Sequence, residues 1–259
     1  MNSATVRALL VRGMLAGIGA GLLAAVVAYL IGIPSVDAAI DYESAQAAAA
    51  DAPSHSHEEG ELFSRAQQST VGLATGVGVF GTALGGIAAL AFCFALGRLG
   101  RFRARATAAL VAGAGFVTVS LVPFLKYPAN PPATSDPGTV GQRTTLFFLM
   151  IVLSVLLGIG AVVVGRRLAA RLGNWNASVV AGAGFVAVVA AAMVFLPSVD
   201  ETPKDFPAAV LWEFRLAAIG IQAALWTTFA LLFGHLAERV LSPRPRSAAP
   251  APEVSPSGV

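Results

Sequence analysis

The stretch TTLFFLMIVLSVLLGIGAVVVG, residues 144–165, contains no Asp, Glu, Lys or Arg. An α-helix needs roughly 20 apolar residues to cross the hydrocarbon core of a bilayer, so this stretch predicts a membrane-spanning helix. Strands are disfavoured because apolar and polar residues do not alternate here, and because an open sheet edge cannot be satisfied in lipid. The predicted fold class is therefore an all-α, polytopic membrane protein.

Five further charge-free runs lie on either side of this stretch. They cover residues 13–36, 66–97, 106–125, 172–199 and 216–237. Each run is long enough to span a bilayer as a helix. We therefore predict a transmembrane domain of six helices over residues 1–241, with an external loop at 34–64. Residues 242–259 are rich in Pro, Ser and Ala and predict a disordered cytoplasmic tail.

The composition of the whole chain agrees with a membrane location. Of its 259 residues, 56% are hydrophobic and 12% are charged, whereas a soluble domain carries about 25% charged residues. Soluble enzymes are excluded because the polar surface is too small to cover a water-facing particle of this size. The basic residues are scattered between apolar runs, so we expect the lipid bilayer as a partner and no nucleic acid. The single cysteine, Cys93, excludes an intrachain disulfide.

Charges between the runs are distributed unevenly. One side of the predicted domain holds 12 of the 17 basic residues, and the other side holds 12 of the 14 acidic residues. The positive-inside rule places the basic side, with both termini, in the cytoplasm. A cleaved signal peptide is the alternative for the N-terminus, but the first run is longer than the 7 to 15 residues typical of such peptides.

Internal similarity indicates a repeated unit. The sequence AGAGFV occurs at 112–117 and at 181–186, in two helices that run outward to prolines. The first helix resembles both, since it is rich in glycine and is expected to end at Pro34. This pattern predicts three parallel helical hairpins around an axis along the membrane normal. The alternative is that small residues recur because they form the general packing code of membrane helices.

The external loop contains the best candidate for a metal site. It offers imidazole nitrogens and carboxylate oxygens within seven positions, from His55, His57, Glu58, Glu59 and Glu61. Such ligands suit a first-row divalent ion but do not identify the metal. We expect an exposed site that gathers ions at an entrance. The alternative is a solvated acidic loop that contains two incidental histidines.

Polar residues near the external ends of the helices form a second candidate site. Polar groups at membrane depth usually face a bundle interior or a water-filled cavity. Arg215, Gln222 and Trp226 are expected on one face of the sixth helix, and Gln142 and Thr145 on one face of the fourth. The predicted vestibule and gate residues are Arg65, Gln68, Lys126, Gln142, Arg143, Glu213, Arg215 and Gln222.

Two readings of this second site remain open. The arginines at helix starts could be interfacial anchors, with their charge reaching the headgroups. If Arg215 instead closes the vestibule, we expect it to pair with a carboxylate from Asp136, Asp200 or Asp205. Without such pairing, the positive charges would favour an anionic solute over a dication.

Catalytic motifs are not recognisable, so we do not expect an enzyme. The segment Gly76-Val-Gly78-Val-Phe-Gly81 fits the dinucleotide-binding pattern GxGxxG, but it lies inside an apolar run with no strand before it. Helix packing explains these glycines better.

Three external segments carry a family resemblance. They are PFLKYPANPP at 123–132, LPSVDETPKDFPA at 196–208 and LWEFRL at 211–216. Together with the His/Glu loop and the segment SRAQQSTVGLATG at 64–76, they resemble the CbtA family of probable cobalt transporter subunits.

The resemblance implies a function and a partner. It implies uptake of Co²⁺ for cobalamin synthesis across a bacterial plasma membrane, with no tightly bound cofactor, and usually with a small single-span partner, CbtB. A non-transporting membrane scaffold and a transporter of an anionic solute are the alternatives.

Overall fold

The computed structural model describes residues 2–49, 73–131, 134, 138–199, 202–203 and 205–242. This part of the chain is helical and contains no strand, which confirms the all-α class. The helices are α1 (Ser3–Val27), α2 (Ile33–Ala49), α3 (Leu73–Ala95), α4 (Ala104–Gly115), α5 (Val122–Lys126), α6 (Val140–Phe195) and α7 (Ala208–Leu241). Two π-helical turns interrupt this order: Ala28–Gly32 joins α1 to α2, and Phe116–Leu121 joins α4 to α5.

Five helical segments of the described chain are long and apolar enough to cross a membrane. They are Ser3–Gln46, Thr75–Ala95, Ala104–Lys126, Val140–Phe195 and Ala208–Leu241. The longest of them, α6, would measure about 84 Å as one straight helix, nearly three times the thickness of a hydrocarbon core.

Helix α6 is in fact two helices joined at Gly173. This residue has φ 75° and ψ 164°, a conformation open only to glycine. A Cβ added at Gly165 would lie 3.1 Å from the Cβ of Ala181, although these residues are about 24 Å apart along a straight helix. The first arm, 140–172, and the second arm, 174–195, therefore fold back on each other and pack through Met150 and Val189.

Helices α1 and α3 run antiparallel with their glycines interlocked. A Cβ on Gly13 would lie 2.6 Å from the carbonyl oxygen of Gly85, and one on Gly81 would lie 2.6 Å from that of Gly17. Such close backbone approach is the small-xxx-small packing of membrane helices. The packing interpretation of the GxGxxG match therefore holds for Gly81 but not for Gly76 and Gly78, where no atom lies within 4 Å of the added Cβ.

The first helix does not end at Pro34, contrary to the sequence-based expectation. It continues through the turn Ala28–Gly32 into α2, so the segment 34–64 begins as a helix that reaches Ala49. Pro34 is the second residue of α2 and lies just after the π-helical turn, where the regular backbone ladder that a proline would break is already loosened. Ser35 and Ala39 of α2 are buried, and Tyr42 makes an edge-to-face contact with Phe206 before α7.

Helices α1, α3, α4 and α7 share one apolar core. Its centre is aromatic: the ring of Phe233 meets Phe92 edge-to-face at 5.0 Å and stacks on Phe229 at 5.2 Å. The two arms of α6 pack outside this core, against the turn Phe116–Leu121 and α5.

The packing gives the protein two ends. One end, here called the arginine end, is formed by residues 2–12, 98–105, 166–173 and 235–242. The opposite end, here called the proline end, is formed by the described residues 122–131, 134, 138–140, 196–199, 202–203 and 205–207.

The two AGAGFV copies have different surroundings. Gly115 of the first copy lies against the ring of Trp226, whereas its counterpart Gly184 has no atom within 4 Å of an added Cβ. The first copy also leads into a π-helical turn, while the second stays within α6. The predicted repeat of three parallel helical hairpins is therefore not confirmed.

Candidate functional site

A cavity of about 630 Å³ opens between α3, the turn Phe116–Leu121, the first arm of α6 and α7. Most of its wall is apolar. Its polar lining residues are Ser120, Tyr127, Arg143, Thr144, Gln222 and Trp226. The predicted fourth and sixth helices do contribute to the wall, as the first arm of α6 and as α7. The π-helical turn Phe116–Leu121 contributes as well.

The deep end of the cavity carries a chain of hydrogen bonds between α7 and the π-helical turn. The indole Nε1 of Trp226 donates to Ser120 Oγ at 3.0 Å, and Ser120 donates to Gln222 Oε1 at 3.2 Å. Trp226 is buried, so these bonds satisfy groups that water does not reach. The polar atoms at this end are therefore largely occupied by one another.

The π-helical turn also anchors the first arm of α6. Ser154, which is fully buried, donates its hydroxyl to the Ile151 carbonyl at 2.9 Å and also contacts the Thr118 carbonyl. Thr118 in turn donates to the Ala114 carbonyl at 2.8 Å. π-Helical turns loosen the regular backbone ladder and are frequent at functional sites. Here the turn joins the cavity wall to the α6 hairpin.

At the proline end, residues 127–130 form a short loop that we call the closing loop. Arg143 of α6 donates to the carbonyl of Pro128. Arg215 of α7 donates through Nε to the Ala129 carbonyl at 3.4 Å and through its guanidinium to Asn130 Oδ1 at 3.2 Å. Two arginines on different helices thus hold the same loop beside the cavity.

The other side of the closing loop is tied to the end of the second arm of α6. Lys126 Nζ donates to Ser198 Oγ at 3.0 Å, and the Tyr127 hydroxyl donates to the Pro197 carbonyl at 2.8 Å. Burial raises the pKa of Tyr127 above its usual value, so this donor stays protonated. The closing loop therefore joins the ends of α5, α6 and α7.

The structure brings together part of the predicted vestibule set. Gln222 and Arg143 line the cavity, Arg215 holds the closing loop, and Lys126 bonds to Ser198 just beside that loop. Gln142 and Glu213 are exposed and do not line it. The reason is helical phase: the first arm faces the cavity with Val140, Thr144, Phe147 and Ile151, and Gln142 lies on another face.

The predicted metal residues lie outside the part of the chain that the structure describes. These are His55, His57, Glu58, Glu59 and Glu61, together with the entrance residues Arg65 and Gln68. Within the described ranges, no group of three or more His, Cys, Asp or Glu side chains could hold a metal ion.

The sequence predicts that Arg215 pairs with a carboxylate from one of three residues, Asp136, Asp200 or Asp205. Asp136 and Asp200 are not among the described residues. Asp205 is described and forms no salt bridge with Arg215. Where the chain is described, a salt bridge is found at the arginine end instead, between Arg105 and Glu238.

The described wall of the cavity offers no carboxylate ligand to a dication. Its lining includes the Arg143 guanidinium, and none of the described lining residues is a carboxylate. Desolvating a divalent cation needs negative or strongly dipolar ligands, so the wall by itself does not form a cobalt site.

Comparison with known families supplies the identity. A family model described as "Probable cobalt transporter subunit (CbtA)" matches residues 6–238. The chain belongs to the CbtA family. The match begins in α1 and ends in α7, so the CbtA assignment covers all the long apolar helices and confirms the resemblance seen in the sequence. No curated protein and no solved structure gave a match.

Sequence reasoning missed three residues around this site of the CbtA protein. Ser120 was hidden in an apolar run, although Thr118 and Ser120 together are an unusual polar pair at membrane depth. Tyr127 and Asn130 lie in the proline-rich segment 123–132, whose sequence pattern does not indicate the hydrogen bonds that they make.

Proposed function

We propose that this chain is the membrane subunit of a bacterial plasma-membrane transporter that takes up divalent cobalt for cobalamin synthesis. The observation that carries the proposal is the CbtA family match over residues 6–238. The transported Co²⁺ is the substrate and not a resident cofactor. A small single-span subunit resembling CbtB is the proposed partner.

In this proposal the two arms of α6 cross the membrane separately, which gives six spans. The second arm alone, residues 174–195, is about 33 Å long as a helix and is long enough for one crossing. Both chain termini then lie on the same side as the arginine end. The positive-inside rule supports a cytoplasmic location for that end.

Capture of the ion is assigned to the segment between α2 and α3. Its candidate ligands are His55, His57, Glu58, Glu59 and Glu61, and Arg65 and Gln68 follow them at the entrance to α3. Imidazole and carboxylate groups bind Co²⁺, and an acidic mouth raises its local concentration.

The residues around the closing loop act as a gate. Arg143 and Arg215 hold this loop through hydrogen bonds to Pro128, Ala129 and Asn130. Lys126, the residue just before the loop, bonds to Ser198. The charge of these three side chains is unsuited to coordinating a cation, so their role is mechanical: opening the proline end requires their release. Gln222 supports the deep end of the adjoining cavity. Glu213 and Gln142 lie exposed near the proline end.

A second candidate function is a scaffold subunit that assembles a transporter without conducting the ion. It is favoured by the chemistry of the cavity, whose described lining is mainly apolar and contains no carboxylate. In that case a partner subunit supplies the path for the ion.

Uptake of radioactive cobalt by a cobalt-limited host separates these functions. The chain is expressed alone, and also with its partner subunit. Uptake that depends on the chain alone supports the transporter. Uptake that appears only with the partner, and that persists when the closing loop of this chain is altered, supports the scaffold. Absence of cobalt uptake in both cases contradicts the cobalt assignment.

Within the transporter, replacing His55 and His57 together by alanine should raise the cobalt concentration for half-maximal uptake more than it lowers the maximal rate. The reason is that a site at the mouth concentrates ions without forming the translocation barrier. His235→Ala, near the arginine end, is the matched control and should leave the half-saturation concentration unchanged. Unchanged uptake by the double variant at limiting cobalt would contradict the capture site.

A further inference from the structure

The cavity has an opening on the side of the helix bundle. Phe80 of α3 and Phe148 of α6 both line it, yet they are 56% and 61% exposed. The reason is that α6 packs against the turn Phe116–Leu121 and α5, and leaves a gap toward α3. In a membrane, this gap faces the lipid.

The dimensions place the cavity within one leaflet. Along the first arm, the lining runs from Val140 to Ile151, which is about 16 Å of helix. A hydrocarbon core is about 30 Å thick, so one leaflet contributes about 15 Å. The cavity therefore extends from the headgroup depth at the proline end to near the bilayer centre.

We propose that this cavity binds an acyl chain of a phospholipid from the leaflet at the proline end. The chain enters between Phe80 and Phe148, and its tail reaches Trp226. The wall is apolar, and the polar atoms at the deep end already bond to one another. Water therefore gains few partners there, whereas an acyl chain fills the space with dispersion contacts.

The charge at the outer end fits the direction of entry. Arg143 lines the cavity at the end nearest the closing loop. A charged side chain is costly deeper in the bilayer, so Arg143 marks the headgroup end of the cavity. The tail then points inward, away from the polar end.

A helix of a partner subunit is too large for the same space. A membrane-spanning helix about 10 Å wide and 30 Å long occupies roughly 2,400 Å³. The cavity holds about 630 Å³. The proposal is independent of cobalt transport, because it concerns the wall of the bundle and not the path of the ion.

Quenching of Trp226 by brominated lipid tests the proposal. The full chain, with Trp175→Phe and Trp212→Phe, contains Trp226 as its one tryptophan and is reconstituted in phosphatidylcholine vesicles brominated at mid-chain. Trp226 is 6% exposed, so bromine reaches it only if a chain enters the cavity. We expect clear quenching relative to unbrominated vesicles. Absence of quenching would overturn the proposal and would be the result if protein, water or a partner fills the space.

A pair of neighbouring threonines supplies the control. Thr144 lines the cavity, whereas Thr145 does not and bonds to the Gly141 carbonyl of its own helix. Both are exposed, so either change is tolerated by the fold. Thr144→Phe should lower the quenching by about half because the added ring fills the outer end. Thr145→Phe should leave it unchanged. Equal quenching in both variants would show that the lipid does not use this cavity.

Discussion

Arg215 holds the closing loop through two neutral acceptors on neighbouring residues, the Ala129 carbonyl and the Asn130 amide oxygen. Arg215→Ala removes both bonds, so we expect it to abolish cobalt uptake while the protein still inserts. Arg215→Lys should restore little uptake, since an ammonium is a single point of charge and a guanidinium donates in two directions. Cobalt uptake and the membrane level of each variant are measured together.

Arg239 provides the control for this prediction. It is an exposed arginine near the end of the same helix, at the arginine end. Arg239→Ala should retain uptake. Full activity in Arg215→Ala would return Arg215 to the role of an interfacial anchor.

Ser120 connects two cavity residues that sit on another helix. Ser120→Ala leaves the buried Trp226 N–H without its acceptor, which should cost about 1–3 kcal/mol. We expect a lower thermal midpoint in detergent and a change in Trp226 emission. Ser178→Ala is the matched control. In the described structure, Ser178 is exposed and bonds only to the Asn174 carbonyl of its own helix. Equal midpoints for the two variants would contradict a stabilising role of the Ser120 bonds.

For single residues, the sequence predicts the helix face on which a side chain lies better than it predicts the hydrogen-bond partner of that side chain. The spacing of four between Gln222 and Trp226 placed both on one face, and both line the cavity. Their common partner Ser120 could not be found in this way because it depends on how a π-helical turn meets α7. Arg215 was expected to pair with a carboxylate, and the structure adds backbone and amide oxygens of the closing loop as acceptors, which a guanidinium with five donors also accommodates.

Among the elements, the antiparallel pair α1 and α3 depends most directly on residue size. Gly81→Ala places a Cβ 2.6 Å from the Gly17 carbonyl oxygen, so the helices must separate. We expect a lower thermal midpoint in detergent. Gly78→Ala adds the same methyl group where nothing lies within 4 Å, and it should be neutral or slightly stabilising because alanine favours helix. A Gly81→Ala midpoint as high as that of Gly78→Ala would contradict the interlocked packing.

The sequence predicts where the long helices run but not how they are interrupted. Charged residues between 165 and 172 separate two apolar runs in the sequence. The structure turns the chain at Gly173, next to these charged residues. In contrast, Pro34 was interpreted as a helix end. A proline indicates an end only when the preceding backbone is regular, and the π-helical turn before it changes that condition.

For the whole molecule, the distribution of charge leads to a test of topology. In a Cys93→Ala background, cysteines at Ser56 and Ser135 should react with an impermeant thiol reagent added outside intact cells. A cysteine at Ser242 should react only after the membrane is permeabilised. The expectation rests on the positive-inside rule applied to the arginine end. Labelling of the Ser242 site alone would reverse the orientation.

At this scale the charge pattern was more informative than the repeat. The segments predicted on the basic side meet at one end, as the Arg105–Glu238 salt bridge between the start of α4 and the end of α7 illustrates. The AGAGFV repeat predicted three equivalent hairpins, but Gly115 and Gly184 meet different neighbours. Identical short segments of small residues fit several kinds of helix contact, so they do not specify one symmetry.

The turn Ala28–Gly32 also sets the direction in which the first helix leaves the bundle. An α-helix rotates about 100° for each residue, so removing one residue from this turn and restoring regular helix would swing every later side chain by that angle. Ser35 and Ala39 would then leave their buried positions, and Tyr42 would lose Phe206. The histidines at 55 and 57 follow α2 in the chain. A single added residue in the turn thus determines which face of α2 packs on the bundle, and α2 is the last described element before the segment that carries these histidines.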